Sequence, residues 1–189
     1  LSKVRDSSEG IARDDRRAAE VISSIRELLR KKEPRYHPVQ VNQAIREVLA
    51  FIRSDAVIEG LTIETGVAPA LPVVMGDRVQ LQQVLLNLIL NAVHAMNKVE
   101  PDQRKLVIKT ENKEGRDVQV SVRDLGAGMD EAHRAKLFES FFSTKAKGMG
   151  MGLAICQRII HAHGGTIWGE NNPDRGTTFG FTLPAGNNG

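Results

Sequence analysis

Apolar and polar positions change rhythm along this chain. From residue 8 to 33, Ala18, Val21, Ile22, Ile25, Leu28 and Leu29 recur at three- and four-residue steps with charges between them, which predicts one long helix. At about 1.5 Å per residue it would run roughly 40 Å. Pro34 and Pro38 end it. Its apolar stripe needs a partner of similar length. Pairing with helices outside this chain, in a bundle or coiled coil, fits better than folding back on its own domain.

After Pro38 the pattern becomes mixed. Val39–Val41 reads as a short extended piece, and Asn42 as the cap of a helix carrying Ala44, Ile45, Val48, Leu49 and Ile52. LTIET (61–65) and PVVMG (72–76) read as strands. Asp77 with Gln80 forms a plausible capping box for a helix running to about Met96. LVIKT (106–110) and DVQVSVRD (117–124) predict a hairpin around Glu114-Gly115, followed by a short helix near 131–138 and another from about Gly150 to His163. GTIWGE (165–170) and TTFGFTL (177–183) make a last strand pair around NNPDRG. Hairpin-linked strands outnumber crossover helices. The expected class is α+β, a two-layer sandwich of a mixed sheet with helices on one face, rather than a doubly wound parallel sheet.

Composition narrows this only a little. A hydrophobic content of 41% in 189 residues suffices for one core. Residues 1–35 hold ten Lys/Arg and seven Asp/Glu, and the remainder sixteen of each. The +3 excess therefore sits in the N-terminal arm and gives no reason to expect nucleic acid. A lone Cys156 permits no internal disulfide, which points to a reducing compartment. No apolar run reaches the roughly 18 residues of a membrane span. The start at Leu1, in mid-pattern, suggests a piece of a longer chain.

Four segments carry candidate chemistry. On the helix at 77–96, Leu81, Leu85, Leu88, Ala92 and Ala95 form a stripe for the sheet, with Asn87 and Asn91 one above the other beside it. These are either surface amides or ligands, since an Asn carbonyl is a hard oxygen suited to magnesium. In DLGAGM (124–129), Asp124 can accept from a ligand amine, while Gly126 and Gly128 leave room for a flat ring, or the segment is an ordinary glycine turn. In FSTKAKGMGMGLAI, Gly148, Gly150 and Gly152 precede a helix whose N–H groups attract anions, with Lys145 and Lys147 beside them. This is neither a GxxxxGK[ST] loop nor a dinucleotide fingerprint. In DRGTTFGFTLP, Thr177 and Thr178 offer hydroxyls.

In this order the segments resemble the ATP-binding catalytic domain of sensor histidine kinases. QVLLNLILNAVHAM is similar to its N box, DLGAGM to its G1 box, LFESFFSTK to its F box, GMGMGLAI to its G2 box, and GTTFGFTLP to its terminal segment. RRAAEVISSIRELLRKKEP resembles the second helix of a dimerisation hairpin. The resemblance implies a partial dimerisation helix over 1–35 and a catalytic domain with a Bergerat-type fold over 36–189. It implies ATP and Mg2+ as cofactors, with Asn91 as metal ligand and Asn87 in support. Asp124 would accept from adenine's exocyclic amine, Gly126 and Gly128 would admit the purine, and Thr178 would sit near it. Phe138, Phe141 and Phe142 would anchor an ATP lid spanning about Ser143 to Lys147. Lys145 would reach the phosphates, with Gly148, Gly150, Gly152 and Leu153 completing their cradle. Leu125 and Ala127 stand where polar residues or proline are common, which bears on adenine packing.

The implied activity is transfer of the ATP γ-phosphoryl to a histidine on the parent's dimerisation helix, and onward to a response regulator receiver domain. None of His37, His94, His133, His161 and His163 is in the acceptor setting, a histidine followed by an acid on such a helix, and all five read as structural or surface. The parent is expected to be a homodimer through the N-terminal helix. The domain would be cytoplasmic, in a parent either soluble or membrane-anchored. Two alternatives stand beside this. One is a GHKL-type ATPase, disfavoured because Asn87 stands where those enzymes carry a water-activating glutamate, and an amide is no general base. The other is a non-catalytic nucleotide-responsive module.

Overall fold

A computed structural model of the chain describes residues 35–58, 60–114, 116–141 and 150–186. The helix predicted over 8–33 lies outside them, as do Phe142, Lys145 and Gly148. The elements in chain order are β1 (His37–Val39), α1 (Val41–Ile58), β2 (Thr62–Val67), β3 (Val74–Gly76), α2 (Arg78–Ala95), β4 (Lys105–Lys113) and β5 (Asp117–Asp124). A single turn, α3 (Glu131–Arg134), follows, then α4 (Gly152–Ala162), β6 (Thr166–Asn171) and β7 (Thr177–Pro184).

Five strands form one mixed sheet in the order β2-β4-β5-β7-β6, with β2 parallel to β4 and every other pair antiparallel. β1 and β3 pair separately, His37 opposite Gly76. Strict alternation decides which face is covered. β5 buries Val118, Val120, Val122 and Asp124, and β7 buries Thr177, Phe179, Phe181 and Leu183. These side chains meet Leu81, Val84, Leu85, Leu88, Ile89 and Ala92 of α2 and Ile155, Cys156, Ile159 and Ile160 of α4. Each such large side chain removed from water contributes about 1.5–3 kcal/mol. The expected two-layer α+β architecture is the one observed.

Several local expectations are corrected. Asn42 is not a cap, because α1 begins at Val41 and its first turn bonds back to the Gln40 carbonyl. Asn42 instead donates to the Ala68 carbonyl at 2.7 Å and accepts from Thr110 Oγ1 at 3.0 Å, tying α1 to β2 and β4. Asp77 does cap α2, accepting from the N–H groups of Val79 and Gln80. The other half of the expected box is supplied from afar, since the Asp77 N–H donates to His163 Nε2 at 3.0 Å. His163, 5% exposed, also bonds the Ile159 carbonyl through Nδ1 and lies against the Tyr36 ring. It is structural, as expected. The helix predicted over 131–138 shrinks to one turn.

Candidate functional site

The site grows from three chain ends that the sheet and helices bring together: the C-terminus of β5, the last turns of α2 and the start of α4. Asp124 is a charged residue on the covered face of the sheet, 1% exposed. Its Oδ1 accepts from the Gly126 N–H at 2.8 Å and the Thr177 N–H at 3.2 Å. Oδ2 carries no hydrogen bond from the described residues. Burial pushes the carboxyl above the usual carboxylate range, and the two N–H donors and nearby Arg123 pull the other way. A carboxylate with one oxygen fixed by main chain and the other bare is a preformed acceptor for a donor that itself arrives dehydrated.

Gly126 also has a packing reason to lack a side chain. A Cβ there would fall 2.7 Å from the Ala95 carbonyl oxygen and 2.8 Å from Asp124 Oδ1, so the missing side chain lets α2 close onto the loop. Gly128 has φ +81°, a left-handed turn that aims the loop back toward β6. Ala95 also locates the two asparagines. Asn87, Asn91 and Ala95 follow at four-residue steps, about 6 Å apart along one line of the helix. One end of that line touches Gly126; the other, Asn87, lies beside Cys156 of α4. Asn91 therefore stands on α2 between the residue that meets the Asp124 loop and the one beside α4. Cys156 is free, fully buried and pushed up to about 12, which makes it an inert packing thiol.

α4 opens at Gly152 with no side-chain cap, and nothing among the described residues lies within 4 Å of the position a Gly152 side chain would take. Among the described residues no side-chain oxygen caps its first N–H groups. Gly150 has φ +64°, and its carbonyl accepts from the Phe141 N–H at 3.1 Å. The ends of the segment 142–149 thus meet at a hydrogen-bonded base. Leu153 packs on the core. Of the expected phenylalanine anchor, Phe141 is 77% exposed and Phe138 half-buried, Phe142 lies outside the described residues, and Leu137 packs on the core beside Gly169.

Of the two threonines, Thr177 shares the covered face with Asp124, at 2% exposure. Thr178, the residue named from sequence, points the other way along the strand and donates through Oγ1 to Asn172 Oδ1 at 2.6 Å. Sequence reading also missed Asn171 and Asn172, which bond to the backbone at Met129 and Asp124. The one available signal was NNPDRG, legible only as a turn.

Burial of Asp124 has two opposed consequences. The folded chain holds this proton more tightly than the unfolded one. Its contribution to stability is therefore present at low pH and lost as pH rises through the elevated folded value. Acceptance from a ligand donor has the reverse sign, since it needs the ionised form. The expected result is that the unfolding free energy of wild type relative to Asp124→Asn falls as pH rises across that interval, while ligand affinity climbs. Denaturant titrations and calorimetry across a pH series check both signs.

The comparisons agree with this geometry. Residues 76–187 match the family described as histidine kinase-, DNA gyrase B- and HSP90-like ATPase. The sensor histidine kinase ZraS of Klebsiella oxytoca is 40% identical over 92% of this chain, which covers 37% of that protein. The chain spans from 19% to 37% of the length of several such curated sensor kinases. The solved catalytic domain of histidine kinase ThkA is 33% identical, with a TM-score of 0.71 over 79% of this chain and 95% of that one. ThkA in complex with response regulator protein TrrA superposes with a TM-score of 0.76 at 29% identity, covering 93% of this chain and 49% of that one. Among the described residues no helix is long and apolar enough to cross a membrane. The chain belongs to the histidine kinase-, DNA gyrase B- and HSP90-like ATPase family, and within it to the ATP-binding catalytic domains of sensor histidine kinases.

Proposed function

We propose that this domain binds ATP with magnesium in the cleft between α2, the Asp124 loop and the start of α4, and presents the γ-phosphoryl to a histidine on a dimerisation helix of its parent kinase. The single observation that carries the reading is Asp124, buried, tethered through Oδ1 and bare at Oδ2. Adenine offers an exocyclic amine to that oxygen, whereas guanine offers a carbonyl, so the pocket selects ATP over GTP. The phosphate tail then extends toward the uncapped N-terminus of α4, where main-chain N–H groups and the helix dipole favour anions. Lys145 and Lys147, in the segment whose ends meet at Phe141 and Gly150, would add charge as it closes.

Among the described residues no cluster of His, Cys, Asp or Glu is built to hold a metal. That suits magnesium arriving with the nucleotide, which needs few protein oxygens and takes the rest from phosphate and water. The Asn91 amide oxygen, with Asn87 one turn away, is the ligand this chain supplies. When bound, the ion neutralises charge developing on the phosphates. The protein's own share is to orient the nucleotide and exclude water. Asn91→Ala is expected to leave ATP binding equally weak with Mg2+ and with EDTA, by calorimetry. A magnesium dependence equal to wild type would remove the assignment.

Asn87 favours transfer over hydrolysis, because an amide at that position is no general base for water. The receiver domain of a response regulator would take the phosphoryl group next, and a homodimer through residues 1–35 would bring the acceptor helix within reach. Labelled ATP mixed with the domain and a separate acceptor-helix fragment decides among the readings. Label on histidine is expected. Free phosphate without protein label would favour an ATPase, and tight binding without turnover a nucleotide-responsive module.

A further inference from the structure

The end of β6 and the first residue of the turn after it carry two adjacent amides, Asn171 and Asn172, that reach the strand end and loop forming one wall of the cleft. Asn171 Oδ1 accepts from the Met129 N–H at 2.7 Å, and Asn171 Nδ2 donates to the Met129 carbonyl at 2.8 Å. An oxygen against an N–H and an NH2 against a carbonyl allow only one orientation of the amide. The pair copies one rung of a β ladder and holds the loop where no strand does. Gly128, just before Met129, is in the left-handed region, and a Cβ there would press on Asn171 Oδ1 at 3.2 Å. Asn172 does the same for the strand end, its Nδ2 donating to the Asp124 carbonyl at 3.0 Å and the Arg175 carbonyl at 2.8 Å. Thr178 and the Arg123–Asp174 ion pair secure the turn itself.

We propose that Asn171 is a positioning residue for base recognition, clamping residues 125–129 against β6 so that the Asp124 acceptor and the loop wall present one fixed geometry to adenine, with Asn172 fixing the strand end behind it. The proposal rests on the nucleotide reading of this cleft. Among the described residues the two side chains hydrogen-bond Met129, Asp124, Arg175 and Thr178, and not the start of α4. Their effect therefore falls on the base and not on the phosphates, which separates positioning from general loss of structure.

The test uses the whole chain, with calorimetric affinities for Mg–ADP and for Mg–tripolyphosphate, the same anion chemistry without a base. Asn171→Ala removes two hydrogen bonds and is expected to weaken ADP about tenfold. Tripolyphosphate affinity should stay within about twofold of wild type, because the loop's contribution is confined to the base. Asn171→Asp, which keeps the acceptor for the Met129 N–H but sets a second acceptor against its carbonyl, should fall on the same side and decides the matter if the alanine variant does not fold. Unchanged ADP affinity in a folded variant, or equal losses for the two ligands, would overturn the assignment. Failure of the wild type to bind ADP would instead strike the nucleotide reading itself.

Discussion

Asp124→Asn is expected to weaken ADP binding on the order of 50-fold while leaving the fold intact, the cost of a buried donor set against a donor. The amide keeps Oδ1 for the Gly126 and Thr177 N–H groups, so the main-chain anchoring survives. It places an NH2 where Oδ2 stood, facing adenine's amine. A 6-oxo purine turns a carbonyl to the same spot, so the variant should bind inosine diphosphate better than wild type does. Calorimetry with the two diphosphates reads the exchange. If ADP and inosine diphosphate keep their wild-type order, Asp124 is not the base-reading group and the cleft has been assigned the wrong ligand end.

Gly176→Ala should have the largest effect on stability. The residue has φ +79°, and a Cβ there would fall 2.2 Å from the Asp124 carbonyl oxygen and 2.8 Å from its Oδ1. The methyl group meets backbone that cannot swing aside, in a conformation an L side chain resists. Together these cost about 3 kcal/mol or more. In a domain of this size that is a drop of roughly 10 °C in Tm. Because the displaced atoms belong to Asp124, nucleotide affinity should fall in the same variant at temperatures where it remains folded. A melting temperature within two or three degrees of wild type, about the effect of 1 kcal/mol, would mean that the turn has slack the structure does not show. Gly128→Ala, at φ +81°, shares the backbone strain but meets the Asn171 amide oxygen at 3.2 Å rather than backbone at 2.2 Å, so it should cost less than Gly176→Ala.

Much of the architecture was legible before any coordinates. β5 was legible as a strand ending at Asp124, and the structure adds that the acid lies on the same covered face as Val118, Val120 and Val122. The apolar stripe of α2 likewise placed Asn87 and Asn91 on one line. What failed was pairing between distant segments. Asn42 has cap chemistry but bonds Ala68 and Thr110, and Gln80 completes a capping-box pattern whose reciprocal acceptor turns out to be His163, 86 residues away from Asp77. The resemblance implied Phe141 as an anchor, yet with a left-handed backbone, φ +68°, it stands exposed to solvent.

Order and spacing of residues, by themselves, determined the elements, the side of each that meets the core, and the chemistry on offer: one acid, two amides in line, and glycines ahead of a helix. These are local properties, set by periods of two and 3.6 residues and by the reach of a few bonds. Tertiary structure alone decided that Thr177 and not Thr178 stands with the acid, that Gly126 is bare to admit α2, and that two amides at and just after the end of β6 grip the end of β5 and the loop after it. Those choices depend on strand register and on which backbone atoms come within 3 Å across the sheet, distances the covalent order of the chain does not contain.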